Sequence, residues 1–160
     1  MKLMMMMMMM SLTFAASDAF AVDFRWTSGF GQGTLEANIE NGNGSSVNIY
    51  CPAWQEDKTP GLFVQVKGIN AQRDELVTVQ IVVDGKNYPF HLNEIRFRAD
   101  GRANRWEFRE LLRALASSKQ KSFVIEFPKY NIAETFSLLD ARKTIGLGKL
   151  FVLNGCDDGS

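Results

Sequence analysis

The chain has 160 residues, with 18 basic side chains, 18 acidic side chains and one histidine, so its formal net charge near pH 7 is zero. This balance gives no overall attraction to nucleic acid or to an anionic membrane surface. A zinc site needs three or four ligands, more than one histidine and a pair of oxidised cysteines supply. We therefore expect no metal or other cofactor and no nucleic-acid partner.

The first 21 residues have the organisation of a secretory signal peptide. Lys2 precedes an apolar segment at 3–16 that contains seven consecutive methionines, and small residues follow it. This segment of about 14 residues is shorter than the roughly 20 residues of a membrane-spanning helix. The Ala-Phe-Ala motif at 19–21 fits the cleavage pattern. We expect cleavage near Ala21, no stable membrane span, and one periplasmic or secreted domain at 22–160.

The methionine run has a second interpretation, as a ligand tract for Cu(I). Thioether sulfur is a soft ligand, but a copper site needs its ligands held in a fixed geometry by a folded scaffold. A contiguous run inside a removable leader does not supply that geometry. The run is therefore interpreted as the apolar core of the leader.

Export also determines how the two cysteines are interpreted. Cys51 and Cys156 would meet an oxidising environment, where thiols pair, so we predict a disulfide between them. The chain-entropy account gives such a long loop roughly 4.7 kcal/mol of stabilisation. The alternative is a reactive or metal-binding thiol pair. Such pairs usually have C-x-x-C spacing or a nearby histidine, and the sequence shows neither.

Alternating apolar and polar residues predict a β-rich domain. Segments 34–39 and 47–51 flank Asn-Gly-Asn-Gly-Ser and are typical of a hairpin. The glycine-rich segment 28–34 indicates a bend or bulge rather than a phosphate loop. Pro89 favours an edge position for its strand, since proline cannot donate to a sheet. The further predicted strands are 62–67, 76–83, 87–92, 95–98, 123–127 and 132–138.

One helix is predicted at about 104–118. Asn104 and Glu107 have the spacing of a capping box, and apolar residues then recur at helical spacing, namely Phe108, Leu111, Leu112 and Leu115. The segment 138–152 is predicted to include a short C-terminal helix. The fold class expected is α+β and mainly antiparallel β, a small β-sandwich or sheet with the helix packed on one side.

The second half of the chain resembles a known family. The order strand, Asp-Gly turn, strand, helix, "SFVIEF", "ETFSLLDARKTI" and terminal cysteine, over residues 76–156, resembles the invasion-associated locus B family of small exported bacterial proteins and its uncharacterised relatives. That family tends to have more cysteines and a glycine where Leu139 stands here. The resemblance implies a bacterial periplasmic or exported accessory protein of β-rich fold with no known catalysis.

Six arginines lie between positions 96 and 113, and some of them share a helix face with a tryptophan. The candidate binding residues are Arg105, Trp106, Arg109 and Arg113. Arginine and exposed tryptophan are typical of protein interfaces, and guanidinium groups suit anionic ligands. The alternative is a solvated structural face, because Glu107 and Glu110 interrupt the positive charge.

No catalytic constellation is found, and His91 has no recognisable nucleophile motif to act on. The sequence favours a non-enzymatic exported binding or accessory protein, such as an inhibitor, an immunity-type protein or an envelope partner protein, with a protein as its partner. One alternative is a small secreted hydrolase that uses the carboxylates of Glu36 and Glu40. Another is a purely structural envelope protein.

Overall fold

The computed structural model describes residues 24–52, 54–146 and 156, so the predicted signal peptide lies outside the described residues. The described chain is α+β and mainly antiparallel β, as predicted from the sequence. The strands and the helix are β1 (Thr27–Gly31), β2 (Thr34–Glu40), β3 (Ser46–Pro52), β4 (Gly61–Gln65), β5 (Leu76–Val83), β6 (Lys86–Asn93), β7 (Arg96–Arg98), α1 (Gly101–Ser117), β8 (Ser122–Phe127) and β9 (Ile132–Ser137).

The described strands form one open sheet with the order β1-β2-β3-β4-β7-β6-β5-β8-β9. Strands β6 and β7 share a single register pair, Asn93 with Arg96, whereas β5 and β6 pair along their full lengths. The sheet therefore has two well-paired parts joined at one point. Buried residues from both parts and from α1 belong to one hydrophobic core.

The predicted hairpin is confirmed as β2 and β3, which pair from Thr34 with Pro52 to Glu40 with Ser46. Its turn is held by Asn41, whose Oδ1 accepts hydrogen bonds from the backbone N–H groups of Asn43 and Ser45, both at 3.0 Å. Because side chains alternate along a strand, one face of the hairpin packs into the core and the other is left outward. The buried face contains Ala37, Ile39, Val47, Ile49 and Cys51.

Strands β4 to β9 lie within two residues of the predicted bounds, but β1 was not predicted. The bend expected at 28–34 is instead an edge strand followed by a tight turn in which Gln32 and Gly33 have φ of 50° and 78°. All five residues of β1 are exposed, so the missing side chains of its glycines create no cavity in the core. Pairing with β2 specifies this strand, and the local composition does not.

The edge position inferred from Pro89 is wrong in terms of strand order, because β6 lies between β5 and β7. The physical reason is the shortness of β7, which pairs with β6 only at Asn93. The part of β6 that contains Pro89 therefore has one paired neighbour, β5. A strand with one open side tolerates proline in the same way as an edge strand.

The capping box predicted at Asn104 and Glu107 is also wrong, because α1 begins three residues earlier, at Gly101. Asp100 is the N-cap residue and makes no side-chain capping hydrogen bond in the described structure. Gly101 has a φ of 75°, a conformation that favours glycine, and this lets the chain turn directly from β7 into the helix. The predicted apolar face is confirmed, with Phe108, Leu111, Leu112 and Leu115 buried.

Two features hold the C-terminal region to the rest of the domain. A short π-helical turn, Arg142–Gly146, lies against α1, and a Cβ placed on Gly146 would come within 2.5 Å of Ala116 Cβ. The predicted disulfide is confirmed: Cys51 and Cys156 are bonded, with their Cα atoms 5.0 Å apart. Residues 147–152 of the predicted C-terminal helix lie outside the described residues.

Among the described residues, α1 is the longest helix, and the structure contains no helix that is both long and apolar enough to cross a membrane.

Candidate functional site

The predicted residues Arg105, Trp106, Arg109 and Arg113, called here the helix surface, differ in their exposure. Trp106 is 56% exposed and the side chain of Arg113 is 50% exposed, whereas Arg105 and Arg109 are partly buried. The Nε atom of Arg109 is itself buried. The structure thus exposes about half of two of the four predicted side chains, on the side of the helix opposite the core.

The helix surface is only weakly positive. Arg113 donates a 2.7 Å hydrogen bond to Glu110, one turn earlier in the same helix, and the exposed Glu107 is a further carboxylate nearby. An exposed ion pair at this spacing contributes a few tenths of a kcal/mol to helix stability, and the carboxylate takes up hydrogen bonds of the guanidinium. The charge of Arg113 is therefore partly neutralised within the helix.

A different site lies on the outward face of β2, β3, β4 and β7. Two rows of side chains cross these four strands in register, because the facing residues of paired strands lie side by side. The first row is Asn38, Asn48, Phe63 and Arg96, and the second is Glu36, Tyr50, Gly61 and Arg98.

A depression of about 260 Å³ lies on this face. It is lined by Gln55, Asp57 and Thr59 of the loop before β4 and by most members of the two rows, namely Glu36, Asn48, Tyr50, Phe63, Arg96 and Arg98. We call this site the sheet groove. It combines aromatic rings, side-chain amides, two arginines and two carboxylates in one concave surface.

Gly61 makes the floor of the sheet groove possible. A Cβ at this position would lie 2.1 Å from the carbonyl oxygen of Phe97 and 2.5 Å from Tyr50 Oη, far inside contact distance. The Tyr50 ring uses that space and lies across the strand, with its hydroxyl 3.5 Å from the Phe97 carbonyl oxygen. Burial raises the pKa of Tyr50 above its usual value, although Arg96 and Arg98 act in the opposite direction. Tyr50 therefore remains a neutral hydroxyl near pH 7.

Arg96 is the most distinctive group of the sheet groove. Its guanidinium lies 4.4 Å from the centroid of the Phe63 ring, and Phe63 in turn contacts Tyr50, with ring centroids 5.2 Å apart. A cation–π contact of this kind holds the guanidinium near the ring and uses none of its N–H groups. Arg96 has no ion-pair partner among the described residues, in contrast to Arg98.

Arg98, next to Arg96 on the same face of β7, has a structural role. It donates a 2.8 Å hydrogen bond to Asp57 and lies 3.7 Å from Asp100, so it connects the loop before β4 to β7. Hydrogen bonds from the side chain and the backbone of Thr59, together with Arg98, lower the pKa of Asp57 to about 2. Asp57 is therefore ionised at all ordinary pH values, and this wall of the sheet groove is held by charge.

The opposite wall carries amides and a carboxylate. Asn48 donates a 2.6 Å hydrogen bond to Asn38 and approaches Glu36 at 3.5 Å. Glu40, the second carboxylate of the hydrolase hypothesis, lies at the far end of β2 and pairs with Ser46. Four residues of a strand span about 13 Å, beyond the roughly 5 to 9.5 Å that separate paired catalytic carboxylates. The structure thus brings Glu36, but not Glu40, to the sheet groove.

Two exposed aromatic rings belong to segments next to the groove, Phe30 on β1 and Trp54 beside Gln55. Phe30 and Trp54 are 57% and 71% exposed and meet edge to face, with ring centroids 5.1 Å apart. The backbone of Trp54 donates to the carbonyl of Gly33 at 3.1 Å. The adjacent Gln55 side chain donates to Gln32 O and Thr34 Oγ1, both at 2.9 Å. The Trp54 ring is therefore exposed on an anchored segment.

In the sequence, Arg96 and Arg98 belong to the same basic cluster as the helix arginines, and the structure separates them onto a different face. One signal could have identified the groove: Tyr50 and Phe63 are aromatic residues at outward positions of strands whose inward positions are already apolar. His91 is exposed on β6, with Nδ1 3.1 Å from Thr78 Oγ1. The described residues contain no cluster of three or more potential metal ligands.

Comparison with known proteins adds a family assignment. The YfjT family matches residues 24–145, which include the whole sheet groove and α1. No curated protein and no solved structure matches the chain significantly. Since the match covers most of the sequence, the chain belongs to the YfjT family.

Proposed function

We propose that this chain is a non-enzymatic exported binding protein and that the sheet groove is its ligand-binding site. The observation that carries the proposal is the Arg96 guanidinium, stacked on Phe63 at 4.4 Å and without an ion-pair partner among the described residues. The guanidinium of an ordinary surface arginine is solvated by water and is not held in one place. Holding it against an aromatic ring at a concave surface is an arrangement suited to receiving a ligand.

The sheet groove is a better candidate than the helix surface for two reasons. It is concave, whereas the helix surface is the outer side of a single helix. Its free arginine is fixed by neighbours from another strand, whereas Arg113 is occupied by Glu110. Binding sites favour groups that are oriented before the ligand arrives, because less conformational entropy is then lost.

Export supports the proposal through the leader-like residues 1–21 and the disulfide between Cys51 and Cys156. We also propose that the resemblance to the invasion-associated locus B family is genuine, since it too implies an exported, non-catalytic protein. A carboxylate hydrolase is the weaker candidate, because Glu36 and Glu40 lie too far apart along β2 to act on one bond.

The test is calorimetric titration of the disulfide-bonded protein with three probes: maltotriose, trigalacturonate and tetra-alanine. Two variants are compared with the unaltered chain. Asn48→Ala with Arg96→Gln removes polar groups of the sheet groove, and Trp106→Ala with Arg113→Gln removes the exposed part of the helix surface. We expect at least one probe to bind, with about tenfold or greater weakening in the groove variant and no change in the helix variant.

Circular dichroism and thermal unfolding of both variants check that they are folded. The proposal is contradicted if no probe binds the unaltered chain. It is equally contradicted if the helix variant loses binding that the groove variant retains.

A further inference from the structure

We infer that the ligand of the sheet groove is an acidic carbohydrate, a chain of hydroxyl-bearing rings with at least one carboxylate. This inference rests on the proposed binding function of the groove and specifies the chemistry that the groove would recognise.

The backbone under the groove is already hydrogen-bonded within the sheet. The groove lies on the face of four mutually paired strands, so their N–H and C=O groups are used within the sheet. Extended peptides usually bind by adding a strand to a sheet edge, where such groups are free. A ligand on this face must be recognised by side chains. Hydroxyl groups both donate and accept, and they can donate to the side-chain amide oxygens of Asn48 and Gln55, whose N–H groups are used within the protein.

The chain next to the groove also presents exposed aromatic rings. A sugar ring has an apolar C–H face and a polar rim, and a planar aromatic ring can contact the C–H face without competing for the hydroxyls. Trp54 offers such a ring, 71% exposed and set edge to face with Phe30. Its neighbour Gln55 lines the groove, which places the Trp54 backbone next to the polar groups.

Charged side chains also line the groove. The planar guanidinium of Arg96 has the geometry for two parallel hydrogen bonds to a carboxylate, and Arg98 is already engaged by Asp57 and Asp100. Glu36 lies three strands away from Arg96, roughly 14 Å at the usual strand spacing. The Arg96 end of the groove therefore suits a carboxylate and the Glu36 end suits hydroxyls. A ligand with both groups, well separated, is complementary to the whole groove.

The experiment compares trigalacturonate with its methyl ester, which keeps the rings and free hydroxyls but removes the charge. Arg96→Gln is the test variant, and Arg73→Gln is the matched control because Arg73 is highly exposed and outside the groove. We expect the unaltered chain and Arg73→Gln to bind the acid about 10- to 100-fold more tightly than the ester. Arg96→Gln should bind both forms equally and weakly.

Equal binding of acid and ester by the unaltered chain overturns the acidic ligand. If that equal binding is weakened by Asn48→Ala, the groove remains the binding site and only the ligand class is wrong. Arg96-dependent binding of tetra-alanine with none of trigalacturonate overturns the carbohydrate and again leaves the groove in place. Binding of no probe overturns both this inference and the proposed function.

Discussion

The sheet groove and the helix surface both present arginine beside aromatic residues, but they do so by different physical means. On the helix, Trp106 and Arg113 come to one side through the helical period of a continuous segment, and Arg113 forms an ion pair with its own neighbour. In the groove, Arg96 is stacked on Phe63, which lies on a different strand more than 30 residues earlier. One arrangement is local to a single helix, while the other is assembled by tertiary structure.

The difference shows that composition alone does not separate a solvated face from an organised site. Both surfaces have the residue types that are enriched in binding sites. What distinguishes them is how many independent elements fix each side chain. The groove is held by the register of four strands, by the absence of a side chain at Gly61 and by the ion pair of Arg98 with Asp57.

Of the changes that would separate the two surfaces, removal of the disulfide should have the largest effect on stability. Replacing Cys51 and Cys156 by alanine should lower the free energy of unfolding by about 4 kcal/mol, since the bond closes a loop with a sequence separation of 105 residues. Because Cys51 lies on β3, protection against amide exchange should fall more in β2 and β3 than in α1. Denaturant unfolding and hydrogen exchange measure the two quantities. A uniform loss of protection would show that the disulfide does not support the groove preferentially.

The floor of the groove gives the next effect. Gly61→Ala should lower the free energy of unfolding by about 1 to 3 kcal/mol, because the new Cβ would overlap the Phe97 carbonyl oxygen and displace Tyr50. Gly31→Ala is the matched control, since a Cβ there meets nothing within 4 Å, and it should change stability by no more than about 0.5 kcal/mol. Thermal unfolding compares them. Equal stability of the two variants would mean that the groove floor is not tightly packed.

The ion pair on the groove wall gives a smaller effect, visible as a pH dependence. The pKa of Asp57 in the folded protein is about 2, below its ordinary value of 3.8. A lowered pKa means that the carboxylate stabilises the fold fully above about pH 4 and loses that contribution as the pH falls towards 2. The Trp54 indole resonance should follow this loss, since Trp54 lies on the same loop.

Two variants separate Asp57 from other acidic groups. Asp57→Asn should remove this transition of the Trp54 resonance. Thr59→Val should shift the transition to higher pH, because the side-chain hydrogen bond of Thr59 is the largest cause of the low pKa. An unchanged transition in both variants would assign it to another group.

Much of the fold could be predicted from the sequence, because its signals are local. The β2–β3 hairpin follows from alternation around a turn that Asn41 closes, and the core face of α1 follows from the spacing of Phe108 and Leu111. The start of α1 was missed because the capping-box pattern at Asn104 is a weaker determinant than the positive φ available at Gly101. Strand order was missed at Pro89, since no local pattern encodes how short β7 would be.

The candidate site could not be predicted in the same way. Its rows depend on the register of β4 with β7, which places Phe63 beside Arg96. In the sequence these two strands are separated by the β5–β6 hairpin, which belongs to the other part of the sheet. That register is a property of tertiary structure. In the sequence, Tyr50, Phe63 and Arg96 are three separate residues with ordinary individual explanations.

The most direct test of the central claim is nuclear magnetic resonance of the labelled, disulfide-bonded protein during titration with trigalacturonate. The side-chain resonances of Arg96 Nε and Asn48 Nδ2 report on the sheet groove, and the indole resonance of Trp106 reports on the helix surface. We predict that the two groove resonances shift with saturation while Trp106 does not move. Saturable shifts of Trp106 with unchanged Arg96 and Asn48 would contradict the account.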